Sequence, residues 1–310
     1  MLSGKASAEP GPWRTDRTPY LRAIMDALSP HSPYERVVFM KGAQIGGTEA
    51  GNNWLGYIIH NTPAPALAVS PTVEMAKRGS KQRLDPLIEE SPALRNLVAP
   101  ARARDSGNTV LSKEFPGGVL VMTGANSAVG LRSMPARFLF LDEVDAYPGD
   151  ADGEGDPVAL AMARTSTFGP RRKVFLVSTP TVAGVSRIEA AYAESDQRRY
   201  FLPCPHCGDM ASLSWQRIRW PEGRPRDAYC FCEACGGVIE EHHKGAMLAA
   251  GGMARDRAGR WAHGRLPSVG PLQPARLVLM GRRGRTIHPG EGQPVAPKDL
   301  RQRSARRRVD

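Results

Sequence analysis

Residues 37–48 read VVFMKGAQIGGT. Four apolar residues, Val37, Val38, Phe39 and Met40, run directly into a glycine-punctuated turn that closes on Thr48. The apolar run predicts a buried strand. The turn predicts a phosphate-binding loop, because backbone N–H groups exposed by Gly42, Gly46 and Gly47 can wrap phosphate oxygens, and a helix opening near Thr48 adds its positive end. The P-loop pattern G-x-x-x-x-G-K-[ST] aligns with Lys41-Gly42-Ala43-Gln44-Ile45-Gly46-Gly47-Thr48, except that the lysine stands at the front of the loop and not beside Thr48. From there Lys41 can reach terminal phosphates from the opposite rim, while the Thr48 hydroxyl can ligate magnesium. On its own the segment also reads as a plain glycine-rich turn between a strand and a helix.

The second half of a nucleotide site lies at Phe138-Leu139-Phe140-Leu141-Asp142-Glu143-Val144-Asp145. Four large apolar residues ending in Asp-Glu predict a central strand whose tip presents carboxylates. Asp142 would hold magnesium through water and Glu143 would polarise the attacking water, since a loose phosphoryl transition state needs mainly positioning and charge compensation. Further strands are expected at Ala66–Ser70, at residues 119–122 and at Val174–Val177, and helices at residues 20–28, 49–60, 75–88 and 159–167. Strands alternating with helices through residues 20–195 predict an α/β fold: a parallel sheet covered by helices on both faces, with ligands at the carboxyl ends of its strands. Lys41, Thr48, Asp142, Glu143, Ser178 and Thr179 would all fall there.

Two C-x-x-C pairs, Cys204-Pro205-His206-Cys207 and Cys232-Glu233-Ala234-Cys235, stand twenty-four residues apart, each followed by glycine. Two thiolate pairs on tight turns suit a four-sulfur structural zinc site, so zinc is expected on Cys204, Cys207, Cys232 and Cys235. Cys230 is left over. With Trp215, Trp220 and Tyr229 between the pairs, the segment reads as a zinc ribbon, a small β module dependent on its metal.

These residues together resemble one family. KGAQIGGTE, FLFLDEVD, the later FLVSTPT and the paired CPHC and CEAC are similar to the large subunit of lambda-like bacteriophage terminases, the motors that package DNA into capsids. The resemblance covers roughly residues 5–262, and the displaced lysine is one of its specific marks. It implies a P-loop ATPase of the RecA-like (ASCE) class that uses ATP and magnesium. Its partners would be double-stranded DNA, a terminase small subunit and the capsid portal, and it would act as a homo-oligomer in the cytoplasm of a bacterial host. It makes Ser178-Thr179 part of the motif coupling hydrolysis to movement. It also implies an aromatic residue upstream of the P-loop packing on adenine, Tyr20 or Trp13, though either ring can equally be a staple holding helix to sheet. An arginine finger completing a neighbour's site is expected at Arg132, with Arg137 second. The lambda-like pattern often carries a basic residue inside the loop, where this chain has Gln44.

Composition sets the outer limits. The net charge is +11, of which +8 lies beyond residue 263, so the body is nearly balanced and the tail is basic. No apolar run approaches the length of a membrane span, and no signal peptide opens the chain. The expected domains are 1–198, the P-loop ATPase; 199–262, the zinc ribbon; and 263–310, a disordered basic tail. That tail has only Glu291, Asp299 and Asp310 as carboxylates, where the resembled family continues into a nuclease, so the nuclease is expected to be absent. A truncated prophage copy would account for this; an electrostatic arm for DNA is the other reading. Arg78, Lys81 and their neighbours on the 75–88 helix can follow a DNA backbone or simply face solvent. The acidic loop at residues 150–156 reads as solvated, since its spacing fits no EF-hand. The rival to a motor is a zinc-ribbon DNA-binding remnant with an inert P-loop.

Overall fold

The computed structural model describes residues 1, 2, 4, 7, 9–99, 107–255 and the backbone of 276–280. Among these, ten strands form one twisted sheet. Its five inner strands are parallel and run in the order β1 (Arg36–Met40), β6 (Lys173–Ser178), β5 (Phe138–Asp142), β2 (Ala66–Ser70) and β4 (Gly118–Gly124). On one side β3 (Ser112–Phe115) closes antiparallel on β4. On the other, β13 (Arg276–Met280) lies antiparallel against β1, followed by β7 (Arg198–Pro203) and β12 (Gly252–Arg255), with β8 (Met210–Ala211) pairing the far end of β7. The sheet is therefore mixed, parallel only in its interior.

The two faces of the inner strands are buried against different helices, as strand alternation requires. Val37 and Phe39, with Phe138, Phe140, Phe175 and Val177, pack under α1 (Tyr20–Leu28), α2 (Gly47–Asn61) and α4 (Asp85–Glu90). Val38, Met40, Leu139, Leu141, Val174 and Leu176 face α5 (Ala128–Leu131), α6 (Pro157–Ala163) and α7 (Arg187–Ala193). Trp54 of α2 meets Phe138 and Phe175 edge-on, at centroid distances of 5.8 and 6.2 Å, and donates its indole N–H to the Leu28 carbonyl. Burying each such aromatic contributes roughly 2–3 kcal/mol. Continuous apolar runs thus become central strands, which is why their positions are readable from sequence.

β3 lies in a polar stretch for which the sequence pattern gives no strand. Its Lys113 is buried, with the ammonium satisfied by Asp85 at 2.8 Å and by the Thr109 carbonyl at 2.8 Å, so a charge sits where the pattern suggests solvent. The 75–88 helix is found as α3 (Val73–Gly79) running through a π-helical turn, Ser80–Leu84, into α4. The acidic loop uses its own carboxylates: Asp150 accepts N–H bonds from Gly153 and Gly155, and Asp156 caps α6.

Two expectations about the C-terminal half change. The boundary placed at residue 198 falls inside β7, and both β7 and β12 belong to the large sheet, so the cysteine-bearing segment hangs between two of its strands. Residues 276–280 are not disordered: they pair along the whole length of β1. RLVLM is the one apolar run of the basic tail, and β1 offers it an edge of unpaired backbone groups. The rest of the tail, including Arg306–Arg308 and the carboxylates Glu291, Asp299 and Asp310, lies outside the described residues.

Candidate active site

Three adjacent inner strands, β1, β6 and β5, end at the same edge of the sheet, and the loops after them converge. Lys41 follows β1 directly. Its ammonium, nearly buried, pairs with Glu143 Oε1 at 2.6 Å and donates to Thr179 Oγ1 at 3.2 Å. The Thr48 hydroxyl, in the first turn of α2, lies 3.0 and 3.2 Å from the two oxygens of Asp142. The Thr179 N–H donates to Glu143 Oε2 at 3.3 Å. Ser178, buried at the end of β6, accepts from the Asp145 N–H at 3.1 Å and donates to the Thr179 carbonyl. The sequence-predicted Lys41, Thr48, Asp142, Glu143, Ser178 and Thr179 are thus one cluster.

The displaced lysine has a geometric explanation. A Cβ on Gly47 would lie 2.7 Å from both Lys41 Cδ and Cε, and 2.8 Å from Val177 Cγ1. The stem of Lys41 therefore fills the space beside the slot in which an ordinary P-loop carries its lysine. A side chain at 47 and this lysine pose exclude each other, so the glycine at 47 belongs with the lysine at 41. Between them the loop is tightly wound: Gly42 is buried, Ala43 and Gln44 form the exposed tip, and Gln44 (φ 59°) and Gly46 (φ 83°) are left-handed. No side chain among the described residues caps α2, which leaves its first-turn N–H groups facing the loop's concavity.

The electrostatics are set by a crowded pair of acids. Burial, then the neighbouring Glu143 carboxylate, pushes Asp142 up to about 6, against the opposing pull of the Thr48 hydroxyl, Lys41 and Arg83. Asp142 keeps a narrow opening to solvent even though protein surrounds it on most sides. A carboxylate held at such a cost is one that a cation would stabilise. Arg83, from the π-helical turn, ion-pairs with Glu49, the residue after Thr48. Nothing in the sequence pattern singled out Arg83 for this site, because the contact joins two helices thirty-four residues apart.

The remaining predicted residues sit as follows. Tyr20 is buried; its hydroxyl donates to the Ile45 carbonyl in the loop at 3.1 Å, its ring meets Tyr200 edge-on at 5.6 Å, and burial raises its phenol to about 12. Trp13 is half-buried, and its ring edge lies 3.9 Å from where a Cβ of Gly46 would stand. Arg132 is on the surface after α5, paired with Glu154 at 2.5 Å. Arg137 stands at the start of β5, roughly 16 Å from Asp142 at the rise of a strand, with Nε on the Arg171 carbonyl. Neither arginine joins the cluster.

The four expected cysteines also come together, and Cys230 stays out. Their sulfurs lie within 4.8 Å of one another, with Cys204–Cys235 and Cys207–Cys232 each at 3.8 Å. A tetrahedron with zinc–sulfur bonds of about 2.3 Å has edges of about 3.8 Å, so the residues fit that ion. The two knuckles share one turn: the Gly208 N–H donates to the Cys204 carbonyl and the Gly236 N–H to the Cys232 carbonyl, both at 2.9 Å, with glycine φ of 74° and 71°. A small antiparallel sheet, β9 (Ile218–Arg219), β10 (Tyr229–Phe231) and β11 (Val238–Ile239), carries the second knuckle. Beside it Trp215, Trp220, Tyr229 and Met247 line an open apolar groove of about 580 Å³.

Comparison with known proteins finds one family along most of the chain. The family described as phage terminase large subunit gpA, ATPase domain, matches residues 7–261. The chain is 28% identical over 249 residues to the terminase large subunit of Enterobacteria phage P21, and 28% identical over 250 residues to that of Escherichia phage lambda; in both cases this is 77% of the chain and 38% of the relative. The match thus spans well under half the length of those relatives. Among solved structures it is similar to the large terminase of a thermophilic bacteriophage, at a TM-score of 0.39 and 17% identity over 58% of this chain and 39% of that one. A second is the ATPase domain of the large terminase of a Thermus phage, at a TM-score of 0.38 and 18% identity over 56% and 69% respectively. On the family match, which takes in the glycine turn at residues 41–48, the acidic strand tip and both cysteine pairs, the chain belongs to the phage terminase large subunit gpA ATPase-domain family.

Proposed function

We propose that this chain hydrolyses ATP as the motor part of a DNA-packaging terminase large subunit. The observation that carries the reading is the meeting of Lys41, Thr48, Asp142, Glu143 and Thr179 at the tips of three adjacent strands. Thr48 and Asp142 are the residues that would hold magnesium, in place of the hydrogen bond they share. Bound there, the ion neutralises charge on the phosphates. The loop amides and the α2 N-terminus cradle the phosphates, and Lys41 turns from Glu143 toward them. That turn releases Glu143 Oε1 to orient a water in line with the terminal phosphorus, with Oε2 still held by the Thr179 N–H. Trp13, half-exposed beside the loop, is the better placed ring for stacking on adenine; Tyr20 braces the loop from beneath.

The four cysteines hold a structural zinc that ties the module to the end of β7. Double-stranded DNA is the polymer moved, and exposed Lys77, Arg78 and Lys81 on α3 and the π-helical turn offer it a basic stripe. A small subunit, a portal and neighbouring copies are the protein partners of such a motor, and Arg132 is the surface arginine to test against a neighbour's site.

ATP turnover by the full chain, with and without linear duplex DNA, tests the reading. The expected outcome is DNA-stimulated hydrolysis that Lys41→Ala and Glu143→Gln each abolish, with Glu143→Gln still binding ATP. Turnover by both variants at the parent's rate would overturn the site assignment.

A further inference from the structure

The acidic strand tip carries a third carboxylate, Asp145, that the reading above leaves without a task. It is half-buried and accepts three hydrogen bonds from across the strand boundary. Oδ1 takes the Ile188 N–H at 2.8 Å; Oδ2 takes the Thr181 N–H at 3.0 Å and the Thr181 hydroxyl at 3.2 Å. Its own N–H donates to Ser178 Oγ at 3.1 Å. Ile188 lies in the first turn of α7, where backbone N–H groups have no intrahelical partner, so Asp145 caps that helix from another segment.

The same loop is gripped at its other end by the catalytic cluster. Thr179 touches Lys41 through its hydroxyl and Glu143 through its N–H. Residues 179–188 are therefore held by the acidic segment at three points, Glu143 at Thr179 and Asp145 at both Thr181 and Ile188. Arg187 adds a further tie, donating to the carbonyls of Tyr147 at 2.9 Å and Pro148 at 2.7 Å. Lys41 is a partner of Glu143 and of Thr179 and is no partner of Asp145, so the lysine turn proposed above would change contacts at Glu143 and Thr179 and leave the bonds of Asp145 to Thr181 and Ile188 without a direct change.

We propose that Asp145 is a positioning residue for ATP hydrolysis: it fixes the 179–188 loop so that Thr179 holds Glu143 in register. The inference rests on the ATPase reading. Loosening the loop leaves the phosphate cradle intact, so nucleotide affinity should survive while turnover falls. A displacement of about 1 Å at such a contact can cost on the order of 100-fold in rate.

The test is steady-state ATP hydrolysis, ATP-analogue titration and amide exchange on the full chain carrying Asp145→Ala, Asp145→Asn or Thr181→Val. Asp145→Ala is expected to lower kcat roughly 10- to 100-fold with ATP affinity within about threefold of the parent. Asp145→Asn, which keeps one acceptor oxygen and turns an amide against Thr181, should fall between. A parent-like kcat in Asp145→Ala overturns the proposal, and so does an equal loss of affinity and kcat, which marks a merely structural role. Should Asp145→Ala fail to fold, Thr181→Val decides, with a several-fold loss of kcat expected and none overturning it. A parent without turnover sinks the ATPase reading instead. Exchange at the Thr181 and Ile188 amides needs no nucleotide: faster exchange in Asp145→Asn supports the clamp, and unchanged exchange removes it.

Discussion

Asp142→Asn should make the nucleotide-free protein more stable above neutral pH while destroying its use of magnesium and ATP. The Asp142 carboxyl is raised from 3.8 to about 6, by burial first and by Glu143 second, and the figure is net of the help from Thr48, Lys41 and Arg83. A raised acid contributes its full stability below the unfolded-state value, and loses it as pH climbs through the folded value. Between pH 4 and 6 the parent therefore accumulates a penalty of about two pKa units, or up to ~3 kcal/mol given the opening to solvent at this residue. Asparagine keeps an oxygen for the Thr48 hydroxyl and carries no charge, so it avoids that penalty. At pH 8 its melting temperature should exceed the parent's by roughly 5–10 °C, and at pH 4 the two should converge. Adding magnesium and ATP should reverse the order, raising the parent alone. Thermal melts at pH 4, 6 and 8, with and without magnesium-ATP, give the answer. A variant melting at or below the parent at pH 8, or with the same advantage at every pH, would refute the reasoning.

Gly47→Ala puts a methyl against the stem of Lys41 and the Val177 side chain, and overpacking of this kind costs about 1–3 kcal/mol. Because the lysine is what must yield, calorimetry should show a modest loss of stability and turnover assays at least a tenfold loss of kcat/KM. Tyr20→Phe removes one bond to the loop and keeps the ring, so a loss of about 1 kcal/mol with unchanged ATP affinity is expected in denaturant titrations. Trp13→Ala should raise the KM for ATP several-fold; the opposite ranking of these two variants would restore Tyr20 as the adenine contact. Elemental analysis should find one zinc per chain, retained in Cys230→Ser and lost in Cys232→Ser. Chelation should unfold the module and leave ATP turnover at a measurable level, checked by circular dichroism beside the turnover assay.

The inner strands, the helices that flank them and the groups at their tips are legible in the sequence because each is a local statement. Val37–Met40, Phe138–Leu141 and Val174–Val177 are apolar on both faces, as only a strand buried between helix layers requires. The knuckles are equally local, since a C-x-x-C-G turn brings two sulfurs together by itself. What escaped was set by distant partners. Ser112–Phe115 looks polar until Asp85 neutralises Lys113, and Arg276–Met280 becomes a strand only because β1 has an open edge. Arg137 looks close to Asp142 along the chain, yet a strand's length separates them.

The residue pattern alone thus determined the class of fold, where its inner strands lie along the chain and which residues to look for at its two candidate sites, since periodicity and spacing are properties of the chain. Only the tertiary structure decided that Lys41 occupies the room left by Gly47, that Thr48 and Asp142 meet across the loop, and that Asp145 ties the loop after β6 to the tip of β5. Those three facts depend on distances between segments far apart in sequence, and no short-range rule records such distances.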